Sequence, residues 1–235
     1  MKKTVFLLAI ALLPLAGFSQ FKLGIKIDPN ISLSRLAYTA ETKSFSDLTG
    51  SGKAKAKLNL GIFADIPIMN HIDFNVGLGW GNNNIGFELN YVADDTTTNA
   101  FSTQNMQFAL QYLNLPVSLK LYTNDISSTM KIYVNVGTKL GFRLDEKQQE
   151  ELNDYQAALV GDKVFTKWFD SSLIMGAGVE MKVGSSNIAF AGLEYERGLA
   201  NVVGKEYLEI DGASIDKSTL EAFNDQIKLV LGFKF

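Results

Sequence analysis

Strict alternation of apolar and polar residues dominates this chain. In its last twelve residues, NDQIKLVLGFKF, Ile227, Leu229, Leu231, Phe233 and Phe235 share one face, and Lys228, Val230, Gly232 and Lys234 the other. Successive side chains of a strand point to opposite sides, so the pattern predicts a strand with one apolar and one mostly wet face. The same rhythm recurs upstream. Leu23, Ile25 and Ile27 oppose Lys22, Gly24, Lys26 and Asp28 in a strand starting at Phe21. Over Lys55 to Ile66, Leu58, Leu60, Ile62, Ala64 and Ile66 oppose Asn59, Gly61, Phe63 and Asp65. From His71, Ile72, Phe74, Val76, Leu78 and Trp80 oppose Asp73, Asn75, Gly77, Gly79 and Gly81. The parity changes at Asn82-Asn83-Asn84, which predicts a bulge or the membrane boundary there.

Four further strands complete the set. Leu113, Leu115, Val117, Leu119 and Leu121 oppose Tyr112, Asn114, Pro116, Ser118 and Lys120, with Pro116 expected to mark a bulge or a break in the ladder. Ile132, Val134, Val136, Leu140 and Phe142 oppose Tyr133, Asn135, Gly137, Lys139, Gly141 and Arg143. Phe169, Leu173, Met175, Ala177, Val179 and Met181 oppose Trp168, Asp170, Ser172, Gly176, Gly178 and Glu180, and Ala191, Leu193 and Tyr195 oppose Gly192, Glu194 and Glu196. With the C-terminal strand this makes an all-β chain of eight antiparallel strands, an even number as in bacterial single-chain barrels. Short connections (66–71, 123–129, 183–187) alternate with long ones (37–54, 92–104, 144–165, 201–223). Outer-membrane barrels have that asymmetry, with short periplasmic turns and long external loops, and it would put both termini in the periplasm. Two of the long loops carry helix-like signals: Asp145 as a cap ahead of Leu152, Tyr155 and Leu159, and Ser218-x-x-Glu221 as a capping box ahead of Phe223.

The N-terminus explains how such a chain would reach a membrane. Lys2 and Lys3, an apolar run from Val5 to Leu15 and the small-x-small site Gly17-Phe18-Ser19 read as a signal peptide over residues 1–19, leaving one barrel domain over 20–235. The apolar run falls short of the ~20 residues of a spanning helix. Removing two lysines and no acid takes the net charge from −3 to −5, a mildly acidic balance that does not suggest a nucleic-acid partner. The absence of cysteine excludes disulfides, thiol catalysis, zinc–thiolate sites and a lipidated N-terminal cysteine. The chain is 46% hydrophobic yet has no helical span after the signal, which leaves a closed barrel as the way to cross a bilayer. A lipocalin-like soluble barrel would show the same alternation with the faces exchanged. Glycines decide between them, because they crowd the polar face, where they relieve a narrow interior and would gain nothing in water. Trp80, Tyr91, Tyr122 and Trp168 suit interfacial girdles.

The stretches YLNLPVSLKLY (112–122), IYVNVGTKLGF (132–142), DSSLIMGAGVE (170–180), LEYERGLAN (193–201) and LGFKF (231–235) resemble the PorT-like outer-membrane β-barrel proteins of the Bacteroidetes. The resemblance implies an outer-membrane barrel; the namesake serves a protein-secretion and gliding system, which adds an accessory subunit of a secretion or envelope-assembly complex to the expected roles. The other expectations are a non-enzymatic barrel presenting its loops for surface interactions, and a small porin-like channel.

The inward face carries both charge signs: Lys22, Lys26, Asp28, Asp65, Asp73, Lys120, Lys139, Arg143, Asp170, Glu180, Glu194, Glu196, Lys228 and Lys234. Unpaired charges in a narrow lumen are costly, so a structural ion-pair network is expected, built on Lys26, Asp65, Asp73, Lys120, Lys139, Arg143, Asp170, Glu180, Glu194, Glu196 and Lys228. Gly77-x-Gly79-x-Gly81 lies inside a strand and reads as room for larger neighbours, not a nucleotide loop. His71, the sole histidine, lies at a short turn, away from the outer leaflet where a lipid-modifying Ser–His pair would act. No catalytic, cofactor or metal site is expected. Lys53-x-Lys55-x-Lys57 is a candidate contact for lipopolysaccharide phosphates.

Overall fold

The computed structural model describes residues 21–38, 49–52, 54–92, 101–148, 166–203, 208–210, 213–215 and 220–235. Residues 1–20, where a signal peptide is expected, Lys53 and the tips of the long connections lie outside them. Eight strands form the wall: β1 (Lys22–Tyr38), β3 (Lys55–Met69), β4 (Ile72–Val92), β5 (Phe101–Tyr122), β6 (Met130–Gln148), β7 (Phe169–Val183), β8 (Asn187–Gly198) and β11 (Leu220–Lys234). Every neighbouring pair is antiparallel, in the order β4-β3-β1-β11-β8-β7-β6-β5, and β4 pairs back onto β5 to close the barrel. The short β2 (Thr49–Gly52) also pairs with β4, and β9 (Leu208–Ile210) and β10 (Ala213–Ile215) form a separate hairpin.

Side-chain direction decides which solvent each face meets. Leu23, Ile25, Ile62, Leu78, Leu119, Val134, Met175, Leu193 and Leu229 are exposed on the outer wall, whereas Asp65, Lys120, Lys139, Glu196, Lys228 and Lys234 are buried inside. A soluble barrel would show the reverse. With Ile62 59% exposed and Lys234 1% exposed, the wall is built for lipid. At one level the outward side chains form a row, Trp80 beside Leu113, Leu113 beside Phe142, and Phe142 beside Phe169, with Trp168 stacked on Phe142 at 5.9 Å. Such aromatic rows mark the edge of the apolar band.

Above this row the wall changes character, and Asn82 marks the change. The β4–β5 register is constant through Asn82, so no bulge forms there. Parity continues while the chemistry inverts. Ile85, Phe108 and Leu110 are buried inside, and Asn82, Ala109 and Gln111 take the outward places. β4 and β5 run 21 and 22 residues, about twice the ~9–11 needed to cross a bilayer. The strands therefore extend past the bilayer, and just above Asn82 their described inward side chains include the apolar Ile85, Phe108 and Leu110.

Several local expectations are corrected. At Pro116 the expected break in the ladder is present and the bulge is not: β4–β5 pairing skips Pro116 and Leu115 and resumes in the same register, and the Pro116 ring packs over Gly77. Tyr122 is not a girdle residue; it continues the inward parity of Lys120 and donates to Glu180 at 3.1 Å. Trp168 breaks the parity assigned to it and is exposed. Asp145 caps no helix, because β6 continues to Gln148; Glu221 and Phe223 lie in β11, so the capping box does not form either. The side chain of Tyr91 and residues 149–165 lie outside the described set.

If lipid covers the outer wall, Ile62→Arg should lower the unfolding free energy in phospholipid vesicles by about 2–4 kcal/mol, the cost of a guanidinium near the bilayer midplane. A water-facing site would give a change within about 0.5 kcal/mol. Urea titration of the vesicle-inserted protein separates the two.

Candidate functional site

Closure fixes which inward side chains meet. Gly24 of β1 lies opposite Phe63 on one side and Lys234 on the other, and Lys22 lies opposite Asp65. Asp73 lies opposite Lys120 across the β4–β5 seam. These registers gather Asp65, Lys120 and Lys234 at one level near the end that carries both termini. Lys120 reaches Asp65 at 3.1 Å, and Lys234 reaches Asp65 at 2.6 Å and Glu180 at 2.5 Å. Asn75 donates to the other Asp65 oxygen at 2.5 Å. Tyr122 donates to Glu180 and accepts from Lys234 at 3.2 Å.

Aromatic rings fill the space around these charges. Phe63 and Phe190 meet edge-to-face at 5.4 Å, and the Lys120 ammonium lies 4.8, 5.3 and 5.5 Å from the ring centres of Phe63, Phe190 and Tyr133. A cation inside such a cage is attracted by the negative ring faces. Each ring is seated on a glycine of a neighbouring strand. A methyl on Gly24 would run into Phe63, one on Gly232 into Phe190, and one on Gly178 or Gly192 into the Tyr133 hydroxyl. The glycines of the polar face thus make room for larger neighbours, as the sequence suggested.

A second cluster occupies mid-barrel. Glu196, 1% exposed, is the shared partner of Lys139 and Lys228. Lys26 pairs with Asp28 at 3.0 Å, and Glu194 accepts from the Asn135 amide at 3.0 Å. A third layer lies toward the long connections. Asp170 accepts from Asn224 at 3.1 Å, and Gln226 donates to Asn83. Arg143 engages Glu146 and Thr166, which works because a bulge between Gln111 and Tyr112 leaves Leu144 as an extra residue of β6 and swings Glu146 back alongside Arg143. Val202 and Val203 bury beside Ala222, capping this end with apolar side chains.

Of the network predicted from sequence, Lys26, Asp65, Lys120, Lys139, Arg143, Glu180, Glu196 and Lys228 are in ion pairs. Asp170 and Glu194 lean on amides instead. Asp73 lines a cavity at the mouth and forms no ion pair among the described residues. Period-two parity alone missed the importance of Lys234, which bridges two carboxylates, and of the amides of Asn75, Asn135 and Asn224. Lys55 and Lys57 lie on the inward parity beside Asn59, so they do not face lipid. Among the described residues, no group of three or more His, Asp or Glu side chains is placed to hold a metal.

A lumen this full, in a wall this apolar, is the architecture of a known family. The sequence model of the outer membrane protein beta-barrel domain matches residues 18–204. The chain belongs to that family. No curated protein matches the sequence. Among solved structures, the outer membrane protein OprG from Pseudomonas aeruginosa is similar over 91% of this chain and 96% of its own, with a TM-score of 0.55 and 9% identity. The outer membrane protease OmpT from Escherichia coli overlaps with a TM-score of 0.44 (8% identity, 93% and 97% covered), and Neisserial surface protein A with 0.42 (12% identity, 89% and 95% covered). The family confirms the outer membrane as the location of this barrel and a closed eight-stranded wall as its fold.

The network makes a graded prediction. Glu196→Gln strands two buried ammonium groups and should cost about 3–5 kcal/mol. Asp170→Asn exchanges a carboxylate held by one amide for a second amide and should cost about 1 kcal/mol or less. Denaturant titrations of the two folded variants beside the parent protein check the order; equal costs would mean that the mid-barrel ion pairs are not what holds the lumen together.

Proposed function

We propose that this protein is a non-enzymatic outer-membrane barrel whose wall anchors the long connections as an interaction surface. One observation carries the reading: the lumen is filled, layer upon layer, by paired charges, seated aromatic rings and an apolar cap. A filled lumen does not conduct, and it leaves the loop end as the surface with freedom to vary. His71 lies at the opposite end from the long connections. The short turns and both termini then face the periplasm, in keeping with the family asymmetry.

The lipid partner is lipopolysaccharide. Above the apolar band on the outer wall, Arg35 bonds Asp225 at 3.2 Å and the Gly198 carbonyl at 2.8 Å and stacks 4.3 Å from the Phe223 ring, while Arg197 is exposed nearby. Two guanidinium groups at the band edge suit lipid phosphates, and they replace Lys53-x-Lys55-x-Lys57 as the candidate contacts. The stretches 112–122 and 193–201 support placement in the PorT-like branch of the Bacteroidetes, and with it a secretion or envelope complex as the class of protein partner.

Two measurements test this reading. Planar-bilayer recordings of the purified barrel should show no discrete conductance steps, and a stable open level would replace the anchor with a channel. An epitope inserted within 149–165 should be reached by antibody on intact cells, whereas one inserted after Gly184 should not; the converse would invert the orientation.

A further inference from the structure

We propose that the terminus-bearing mouth of the barrel is a binding site for a phosphate-class anion. A cavity of about 170 Å³ opens there, closed above by the Lys234–Glu180 pair and Tyr122. That is about five or six waters' worth of volume, enough for a phosphate with a short substituent.

The wall of this cavity brings cations together from strands that are distant in sequence. Lys22 comes from β1, Lys131 from β6 and Lys182 from β7. Lys22 makes no ion pair among the described residues. Lys131 and Lys182 share one carboxylate, Asp125, at 3.4 and 3.7 Å, all three groups being more than a third exposed. Such long, solvated pairs hold little energy and yield readily to a better-placed anion. Thr129 also lines the cavity. Ammonium groups converging from several directions suit a tetrahedral oxyanion; a planar carboxylate would favour the fork of an arginine, and none lines the cavity.

A second observation points to the same place. His71, which lines the cavity, has φ of 69°, the one non-glycine residue among those described with a left-handed backbone. Glycine would hold that turn at less cost, so a side chain kept there is consistent with a role at the mouth. Asp73 supplies the opposite sign in the same wall. The preferred ligand therefore carries a cationic or hydroxyl substituent beside its phosphate, and phosphoethanolamine is the simplest such compound.

The test uses the full folded barrel in non-ionic detergent, with backbone amide NMR reporting and inorganic phosphate or phosphoethanolamine added to millimolar levels. Saturable shifts are expected at 70–73, 122–131 and 180–188, with phosphoethanolamine the tighter ligand and its advantage lost in Asp73→Asn. Lys131→Ala with Lys182→Ala should weaken both by about tenfold, and Lys147→Ala, at the other end, should change neither. Heat-modifiable gel mobility verifies the fold of each variant; Lys182 is exposed, so its single replacement serves if the pair does not fold. In nanodiscs, shifts already present with phosphatidylethanolamine but not with phosphatidylcholine assign a lipid headgroup as the source. Shifts that need added solute assign a free phosphate compound. No saturable shift, or an affinity indifferent to both lysines, overturns the site.

Discussion

A peptide group in hydrocarbon has no water to turn to, so every strand in the band must pair on both edges. The seam from Ile72–Leu121 to Val92–Phe101 meets that demand by returning β4 to β5. The other features of the wall follow from closure. With lipid outside, Ile62, Leu78 and Leu193 are stable where they would be a liability in water. With only eight strands the interior is narrow, and whatever faces inward must interlock.

Charges are a costly way to fill an interior, and paired charges rarely beat a well-packed apolar core in stability. Their value here lies before folding. Were the inner face apolar too, each strand would be a continuous apolar run, prone to pair with other chains while still in water. Lys120, Lys139, Lys228 and Lys234 interrupt those runs in β5, β6 and β11, and Asp65, Glu180 and Glu196 make the same lysines tolerable once the barrel closes. The glycines belong to the same solution, because Gly24 and Gly232 lend their missing side chains to Phe63 and Phe190.

What was legible in the sequence follows from the same physics. Period two assigns each residue to a face, so the strands and the wet side could be read directly, but not which inward charges pair: Asp73, Asp170 and Glu194 form no ion pair among the described residues, and Lys234 forms two. Parity does not say which inward residues share a level. Lys234 meets Asp65, 169 positions away, only because of the registers of β11 on β1 and β1 on β3. The Arg143–Glu146 pair needs the Leu144 bulge, which no residue type announces. The helix signals at Asp145 and Ser218-x-x-Glu221 failed for a different reason: a local cap counts for little against the continuous ladders that carry β6 to Gln148 and start β11 at Leu220. Tyr122 was misplaced because residue type, an aromatic near a strand end, was allowed to outweigh its own parity.

The change at Asn82 is the same rule read in a second solvent. Inward parity is unbroken from Asn75 through Ile85, yet Asn75 bonds Asp65 in the lumen and Ile85 is fully buried with Phe108 and Leu110. Below the boundary the outside is lipid, so apolar residues go out. Above it the outside is water, so they go in. One continuous wall thus passes from lipid to water at Asn82, and the described inward side chains change with it, from the ion pairs around Glu196 to the packing of Ile85, Phe108 and Leu110.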